Sequence, residues 1–278
     1  MGYNSIIGKK RMIQDIYPGR YDVSYRPCQV EEEDYVFLFS KDRRTVLIDN
    51  EIPRYKDLKE RLSAVQYLFS IDEERFFLGT PTDDDFDWSV IRLQFPVLND
   101  IHSFALATAT HLYRWYSTHI YCGGCGHRLK HLENERALKC ENCSQVFYPV
   151  IAPAVIVAVT NGEKLLMSRY AGREYRGSAL LAGVCEIGET PEETCRREVM
   201  EEVGIRIRNI RYYASQPWGI ESDLLLGFVA EADGDDTIRV DHNELAEAVW
   251  VERKDIEKRD DLRSLTATMI EAFRTGKI

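Results

Sequence analysis

Long apolar runs and positive charge are what this chain of 278 residues is short of. Its longest apolar stretch, near Ile151 to Val159, falls well below the roughly 20 residues a membrane-spanning helix needs. No apolar signal region is visible near the start, so the expectation is a cytoplasmic protein with no membrane partner. Lys and Arg number 36 against 46 Asp and Glu, a net charge of -10. That balance argues against a broad, sequence-independent nucleic-acid surface. It leaves room for a nucleotide substrate, because bound metal ions reverse the sign of the field locally. A disulfide framework is missing too, since seven cysteines, an odd number, fit reduced thiols better. A hydrophobic content of 44% is enough for two or three modest domains with their own cores.

Four of the cysteines form two C-x-x-C pairs, Cys122 with Cys125 and Cys140 with Cys143. Their separation is that of a tetrahedral four-cysteine zinc ribbon, with Gly123, Gly124 and Gly126 allowing a tight knuckle. A ribbon this small has little core, so Zn2+ would supply much of its folding energy, as a structural and not a catalytic ion. Redox use of either pair is the competing reading.

The densest chemistry lies in residues 183 to 205, GVCEIGETPEETCRREVMEEVGI. Thr190-Pro191-Glu192-Glu193 combines a cap residue, a proline at the first helical position and a glutamate three after the cap. Gly204 stands where a left-handed cap ends a helix. Between them Glu198, Glu201 and Glu202 lie at i, i+3 and i+4 and share one face, beside a stripe of Cys195, Val199 and Val203. Three crowded carboxylates call for a cation, and Mg2+, which takes oxygen ligands from carboxylates, water and phosphates, is the natural candidate. An ordinary solvated helix whose glutamates pair with Arg196 and Arg197 is the plain alternative. Gly183, Glu189, Arg197, Glu198, Val199, Glu201, Glu202, Gly204 and Ile205 weigh against it, because their spacing resembles the Nudix box of hydrolases that split diphosphates. In that family Arg197 would hold the carboxylates through paired hydrogen bonds.

Before the ribbon, residues 1 to about 98 read as a mixed α/β domain. Tyr35 to Phe39 and Thr45 to Ile48 suggest a hairpin, with further strands at Val65 to Ile71, Arg75 to Gly79 and Trp88 to Leu93. Asp83, Asp84, Asp85 and Asp87 read as a solvated loop. Asp100 to Thr118 has a one-faced helical stripe of Ile101, Phe104, Ala105, Leu112 and Trp115, interrupted by Thr108. After the ribbon, strands are expected at Ala152 to Thr160 and Lys164 to Ser168 around Asn161-Gly162, then near Ile205 to Ala214, Leu224 to Ala232 and Ala248 to Glu252. A helix from about Asp260 to Phe273 closes the chain. The expected fold is α+β, a Nudix α/β/α sandwich preceded by a four-cysteine zinc ribbon and an N-terminal mixed α/β domain. The expected boundaries are 1–118, 119–147 and 148–278.

The zinc ribbon, YPVIAPAVIVAV, the box and Ser215-Gln216-Pro217-Trp218 occur in that order. This resembles the NADH pyrophosphatase subfamily over essentially the whole chain, most specifically from Tyr121 to Trp250. The resemblance implies metal-dependent cleavage of NAD(H) to nicotinamide mononucleotide and AMP, or removal of NAD caps from RNA, by a homodimer with one zinc per chain. Position by position it implies Mg2+ or Mn2+ ligands at Glu198, Glu202, Glu201 and Glu244 and at the Ala182 carbonyl. Glu198, Glu201, Glu202 and Arg197 form the catalytic set, with the base open among the glutamates. It implies a stacking ring at Tyr148, a substrate contact at Glu135, and a substrate loop made of Gln216, Pro217, Trp218, Gly219, Ile220, Glu221, Ser222 and Asp223. The bland alternatives are a core role for Tyr148, a surface charge at Glu135 and a cap at Glu244.

Three features depart from the subfamily. Gly219-Ile220-Glu221 replaces proline-phenylalanine-proline, Val184 replaces a box phenylalanine, and Thr266 stands where a small residue is expected. Losing one aromatic platform weakens base stacking by roughly 1–3 kcal/mol. A different diphosphate, such as ADP-ribose or a nucleotide sugar, is therefore the alternative substrate. A non-catalytic nucleotide sensor or nucleic-acid-binding protein is the alternative from another class.

Overall fold

A computed structural model describes residues 12–172 and 177–278. The first eleven residues of the expected N-terminal domain, and residues 173–176 of the loop before Gly183, lie outside the described residues. Two compact units divide the chain. One joins Asp15–Ile151 with Trp218–Ser222, and the other joins residues 12–14 with Ala152–Pro217 and Asp223–Ile278.

The first unit carries strands β1 (Tyr21–Asp22), β2 (Tyr35–Phe37) and β3 (Arg44–Thr45), helix α1 (Tyr55–Leu58), then β4 (Leu62–Ile71), β5 (Glu74–Pro81) and β6 (Ser89–Val90). Helices α2 (Ile91–Gln94) and α3 (Asp100–Thr118) follow, and the ribbon strands β7 (Leu129–His131), β8 (Leu138–Cys140) and β9 (Val146–Phe147) complete it. A sheet runs β1-β4-β5-β2, with β4 and β5 antiparallel and β2 parallel to β5. The expected hairpin between 35–39 and 45–48 shrinks to one bridge, Phe39 with Thr45, closed by the Ser40 N–H on the Arg44 carbonyl at 3.0 Å. The reason is burial. All three β2 residues are buried although β2 is the last strand of its sheet, and a strand covered on both faces suits a parallel pairing. Thr45 also pairs across to Ser89. The expected strand at 88–93 stops at Val90, and Ile91–Gln94 turn into α2.

Helix α3 begins on Asn99, whose side chain accepts the His102 N–H at 2.8 Å, the capping bond such a residue is suited to. Its buried surface is wider than the one-faced stripe read from the sequence. His102 to Ala107 are buried without a break, as are Ala109 and Thr110. The alanines explain the difference, because small side chains let neighbouring segments approach the helix on more than one side.

The second unit carries β10 (Ala152–Asn161), β11 (Lys164–Tyr170), β12 (Leu181–Val184), α4 (Pro191–Val203), β13 (Ile207–Trp218), β14 (Asp223–Ala232), β15 (Leu245–Glu252) and α5 (Leu265–Arg274). The sheet runs β13-β14-β10-β11-β15, with β12 added to β10. Alternate residues of β10 feed two cores. Val155, Val157 and Val159 pack with Cys195, Val199 and Val203 of α4. Ile156 and Ala158 pack with Leu265, Met269, Ile270 and Phe273 of α5. This is the α/β/α sandwich, and β10 is its centre because residues 154–159 are apolar on both faces. Helix α5 starts at Leu265, capped by the Ser264 side chain, not near Asp260. Among the described residues no helix is long and apolar enough to cross a membrane.

Candidate active site and zinc site

Helix α4 is delivered to the site by its caps. The Thr190 hydroxyl accepts the Glu193 N–H at 3.3 Å, and the Glu193 carboxylate accepts the Thr190 N–H at 2.8 Å. Pro191 occupies the first turn, and Gly204 ends the helix at φ +70° with its N–H on the Met200 carbonyl. Upstream, Gly188 turns at φ +95°, a backbone state that favours glycine.

Arg197 is the hub of the carboxylates. Its Nε and Nη2 grip Glu189 at 2.7 and 2.8 Å, while Nη1 reaches Glu198 at 2.7 Å and Glu201 at 3.1 Å. Nη2 also donates to the Val184 carbonyl at 3.1 Å, tying the helix to β12. The guanidinium holds Glu189 down to about 2, helped by the Glu186 N–H and the Thr194 hydroxyl. Burial pushes the Glu198 carboxyl above its ordinary value. Arg197 opposes that, while the charges of Glu201 and Glu244 add to it. Glu202 is buried at 1% exposure, whereas the Glu201 side chain is 61% exposed.

Glu244 comes from a different loop, which α4 itself pins. The Asp241 N–H donates to the Glu202 carbonyl at 2.9 Å, and Leu245 closes a turn back onto Asp241 at 3.0 Å. Ala182 sits in β12 opposite Ile156. A Cβ on the neighbouring Gly183 would lie 1.9 Å from the Glu198 carboxyl, so glycine is what lets that carboxylate rest on the strand. The donors assembled around α4 are hard oxygens, the set that Mg2+ and Mn2+ prefer. Among the described residues they do not close into a three-donor cluster as tight as the cysteines form. Arg197 draws Glu198 and Glu201 onto its own nitrogens.

The four cysteine sulfurs lie within 4.8 Å of one another, with Cys122–Cys143 at 3.5 Å and Cys125–Cys140 at 3.4 Å. Tetrahedral Zn–S bonds of about 2.3 Å place sulfurs about 3.8 Å apart, so the group fits one Zn2+. Two matching knuckles build it. Gly126 N–H bonds the Cys122 carbonyl at 2.8 Å, and Ser144 N–H bonds the Cys140 carbonyl at 2.9 Å. Backbone hydrogen bonding at His127 is the main influence drawing the Cys125 thiol down to about 5. The ribbon's small core is Cys122, Cys140, Leu129 and Leu138 against Trp115 of α3. The acidic run at 83–87 is exposed loop, with Asp83 on Arg61 at 2.6 Å.

The expected substrate residues separate into groups. Tyr148 is exposed and its hydroxyl meets both Glu135 oxygens at 3.3 Å, so it is not a core residue. Gln216 is wholly buried. Its Nε2 donates to Gln14 at 3.1 Å and to the Arg263 carbonyl at 2.8 Å, and its Oε1 accepts the Leu265 N–H at 2.8 Å. That amide is fully employed in seating the start of α5, leaving its side chain nothing to offer a ligand. Pro217 is exposed and Trp218, Ser222 and Asp223 are half-buried, but Gly219 and Ile220 are buried. The Glu221 carboxylate is taken up by Arg43, Arg92 and Arg114. Sequence reasoning singled out none of those arginines, and no local pattern marks them, since they come from three distant segments.

Residues 150–273 match the sequence model of the NUDIX domain, and residues 117–148 match the NADH pyrophosphatase zinc ribbon domain. The chain thus contains a Nudix domain preceded by an NADH pyrophosphatase-type zinc ribbon. It is 39% identical over 158 residues to the NAD-capped RNA hydrolase NudC of Escherichia fergusonii, and 40% identical over the same length to that of Shigella flexneri. Each match covers 56% of this chain and 61% of the relative, so the similarity spans about six-tenths of the relatives' length. That is narrower than the whole-chain resemblance expected from the sequence. A NUDIX hydrolase structure from Nitrosomonas europaea is similar at 23% identity and a TM-score of 0.47, covering 56% of this chain and 91% of that one.

Proposed function

We propose that this protein hydrolyses the diphosphate bond of NAD(H) to NMN(H) and AMP, and removes NAD caps from RNA 5′ ends, with Mg2+ or Mn2+ as cofactor. The carrying observation is the intact box in which Arg197 orders Glu189, Glu198 and Glu201 beside the buried Glu202. The zinc ribbon and the similarity to proteins named NAD-capped RNA hydrolase support the substrate class. In this reading the chain is organised as an N-terminal domain (1–118), the zinc ribbon (119–147) and the Nudix hydrolase domain (148–278). It works as a cytoplasmic homodimer.

Glu198, Glu202, Glu201 and Glu244, with the Ala182 carbonyl, would hold the catalytic cation. That cation, once bound, would neutralise the diphosphate oxygens and the leaving phosphate. The chain's own part is to place the carboxylates. Arg197 sets their geometry, Gly183 clears space for Glu198, and a box glutamate takes the proton as water attacks phosphorus. Tyr148, exposed beside Glu135, offers a ring face to a base, and the 216–223 segment, the end of β13 with the turn into β14, receives the nucleotide.

A second diphosphate substrate is favoured by one observation. Val184, where the subfamily has an aromatic, is 52% exposed and presents no ring for stacking. Incubation with NADH, NAD+, ADP-ribose and NAD-capped RNA, with Mg2+ or Mn2+, separates the readings by their products. NMN(H) plus AMP supports the first, and turnover of ADP-ribose alone supports the second. Glu202→Gln is expected to cut kcat by at least about a hundredfold in a folded protein. Full activity in that variant rules out the assigned site.

A further inference from the structure

The three residues that depart from the subfamily in the β13–β14 loop each have a matching partner inside the first unit. Gly219 lies directly on α3, where a Cβ would stand 2.0 Å from the Ala107 carbonyl oxygen and 3.2 Å from the His111 Cβ. No side chain fits there, so proline, the subfamily residue, is excluded as firmly as any other. Ile220 is buried at 3% exposure, and its carbonyl accepts a hydrogen bond from Arg114. Glu221 receives Arg92 on Oε1 at 2.7 Å, Arg43 on Oε2 at 3.0 Å, and Arg114 on Oε2 at 3.5 Å.

A substrate contact is a poor description of that carboxylate. Both its oxygens are occupied by guanidinium groups, and a free negative charge would repel a diphosphate. Paired as it is, it leaves three positive groups against one negative, a local surplus of the sign the substrate needs, in a chain of net charge -10. Isolated surface ion pairs contribute little to stability, but this is a convergent network on a half-buried group. The loop it ends is itself compact, with the Glu221 N–H on the Trp218 carbonyl at 3.2 Å and the Ser222 N–H on the Gly219 carbonyl at 3.3 Å. Trp218, at the loop's start, lies with its ring centroid 6.4 Å from that of Phe95 and 5.9 Å from the Arg92 guanidinium carbon.

We propose that Glu221 is a positioning residue: clasped by Arg43, Arg92 and Arg114 of the first unit, it fixes the 218–222 loop in the shape that receives the nucleotide. This rests on the reading of 216–223 as the substrate loop. It makes Gly219-Ile220-Glu221 a coordinated replacement and not a loss. Arg92 belongs to both halves of the device, since it bonds Glu221 and lies near the Trp218 ring.

The test uses the full-length protein and three variants, Glu221→Gln, Glu221→Asp and Arg43→Gln. Steady-state kinetics on NADH with Mg2+ are paired with amide hydrogen exchange over residues 218–222. Glu221→Gln is expected to raise KM about tenfold while lowering kcat much less, and to speed exchange at Glu221 and Ser222. Glu221→Asp should recover part of the affinity. Arg43→Gln, which removes one of three partners, should fall between them and serves if Glu221→Gln does not fold. An unchanged KM in folded variants overturns the proposal, as does loss of thermal stability with KM intact. Should the wild-type protein leave NADH uncut, the substrate reading fails by itself. The clasp is then judged by exchange and by KM on whichever diphosphate is cleaved, and unchanged values there overturn it.

Discussion

Arg197 and Glu189 meet in a two-point grip, Nε to Oε1 at 2.7 Å and Nη2 to Oε2 at 2.8 Å, across the turn that opens helix α4. The remaining Nη1 is thereby aimed at Glu198 and Glu201. A lysine keeps the charge but not the fork, so it can satisfy one carboxylate at a time. Arg197→Lys is accordingly expected to weaken activating Mg2+ and lower kcat/KM by about 10–100-fold, with little change in the unfolding temperature. Titrating Mg2+ against turnover checks it. An unaltered half-saturating Mg2+ concentration contradicts the ordering role.

The same grip fixes a pH dependence. Glu189 is held to about 2, below its ordinary 4.5, chiefly by its hydrogen bonds from Arg197. A carboxyl depressed in the folded state contributes stability above its unfolded value and loses it as pH falls through the folded one. The contribution is therefore complete above about pH 4.5 and fades between there and about pH 2. The gap in thermal midpoint between wild type and Glu189→Gln should be widest near neutrality and close as pH is lowered through that window. A gap that stays constant with pH removes this account.

Much of the second unit, and the zinc ribbon of the first, is legible in the sequence because the signals are local. The β10 run, the Thr190 capping box, Gly204 and the two cysteine knuckles each fall within a few residues, where period and spacing carry the physics. The N-terminal hairpin is not legible, because Tyr35–Phe37 look alike whether they pair with Thr45 or with a strand forty residues on, and burial chooses the latter. Gln216 reads as a ligand contact because its neighbours suggest a substrate loop. Its actual partners, Gln14, Arg263 and Leu265, are invisible to any local pattern. The arginines around Glu221 escape for the same reason.

The zinc site carries a prediction about folding. Leu129, Leu138 and two of the cysteines themselves make up most of the ribbon's core, so the metal substitutes for apolar burial. Structural zinc in small fingers is worth on the order of 10–16 kcal/mol. Cys140→Ser should leave the protein with less than one zinc per chain and expose residues 122–147 to protease. The α4 helix and its sheet should keep their amide protection, because their cores lie in the other unit. Metal content by emission spectroscopy and limited proteolysis give the two readouts. A ribbon that stays protease-resistant without zinc contradicts the assignment.

Gln216 supplies the sharpest separation of structure from recognition. Replacing it with leucine keeps the volume but strands the buried Leu265 N–H at the head of α5, while the Arg263 carbonyl keeps its other donor, the Ile13 N–H at 3.0 Å. A stranded buried donor costs about 1–3 kcal/mol, so the unfolding temperature should drop by several degrees. A glutamate at the same position keeps an acceptor for Leu265 but loses the donor to Arg263, and should cost less near its own pKa than at neutral pH. If Gln216 served as a ligand contact, both variants would raise KM while leaving stability alone. The geometry requires the reverse, a loss of stability with KM for the dinucleotide close to wild type under conditions where the variant is folded. Differential scanning calorimetry beside steady-state kinetics decides between them.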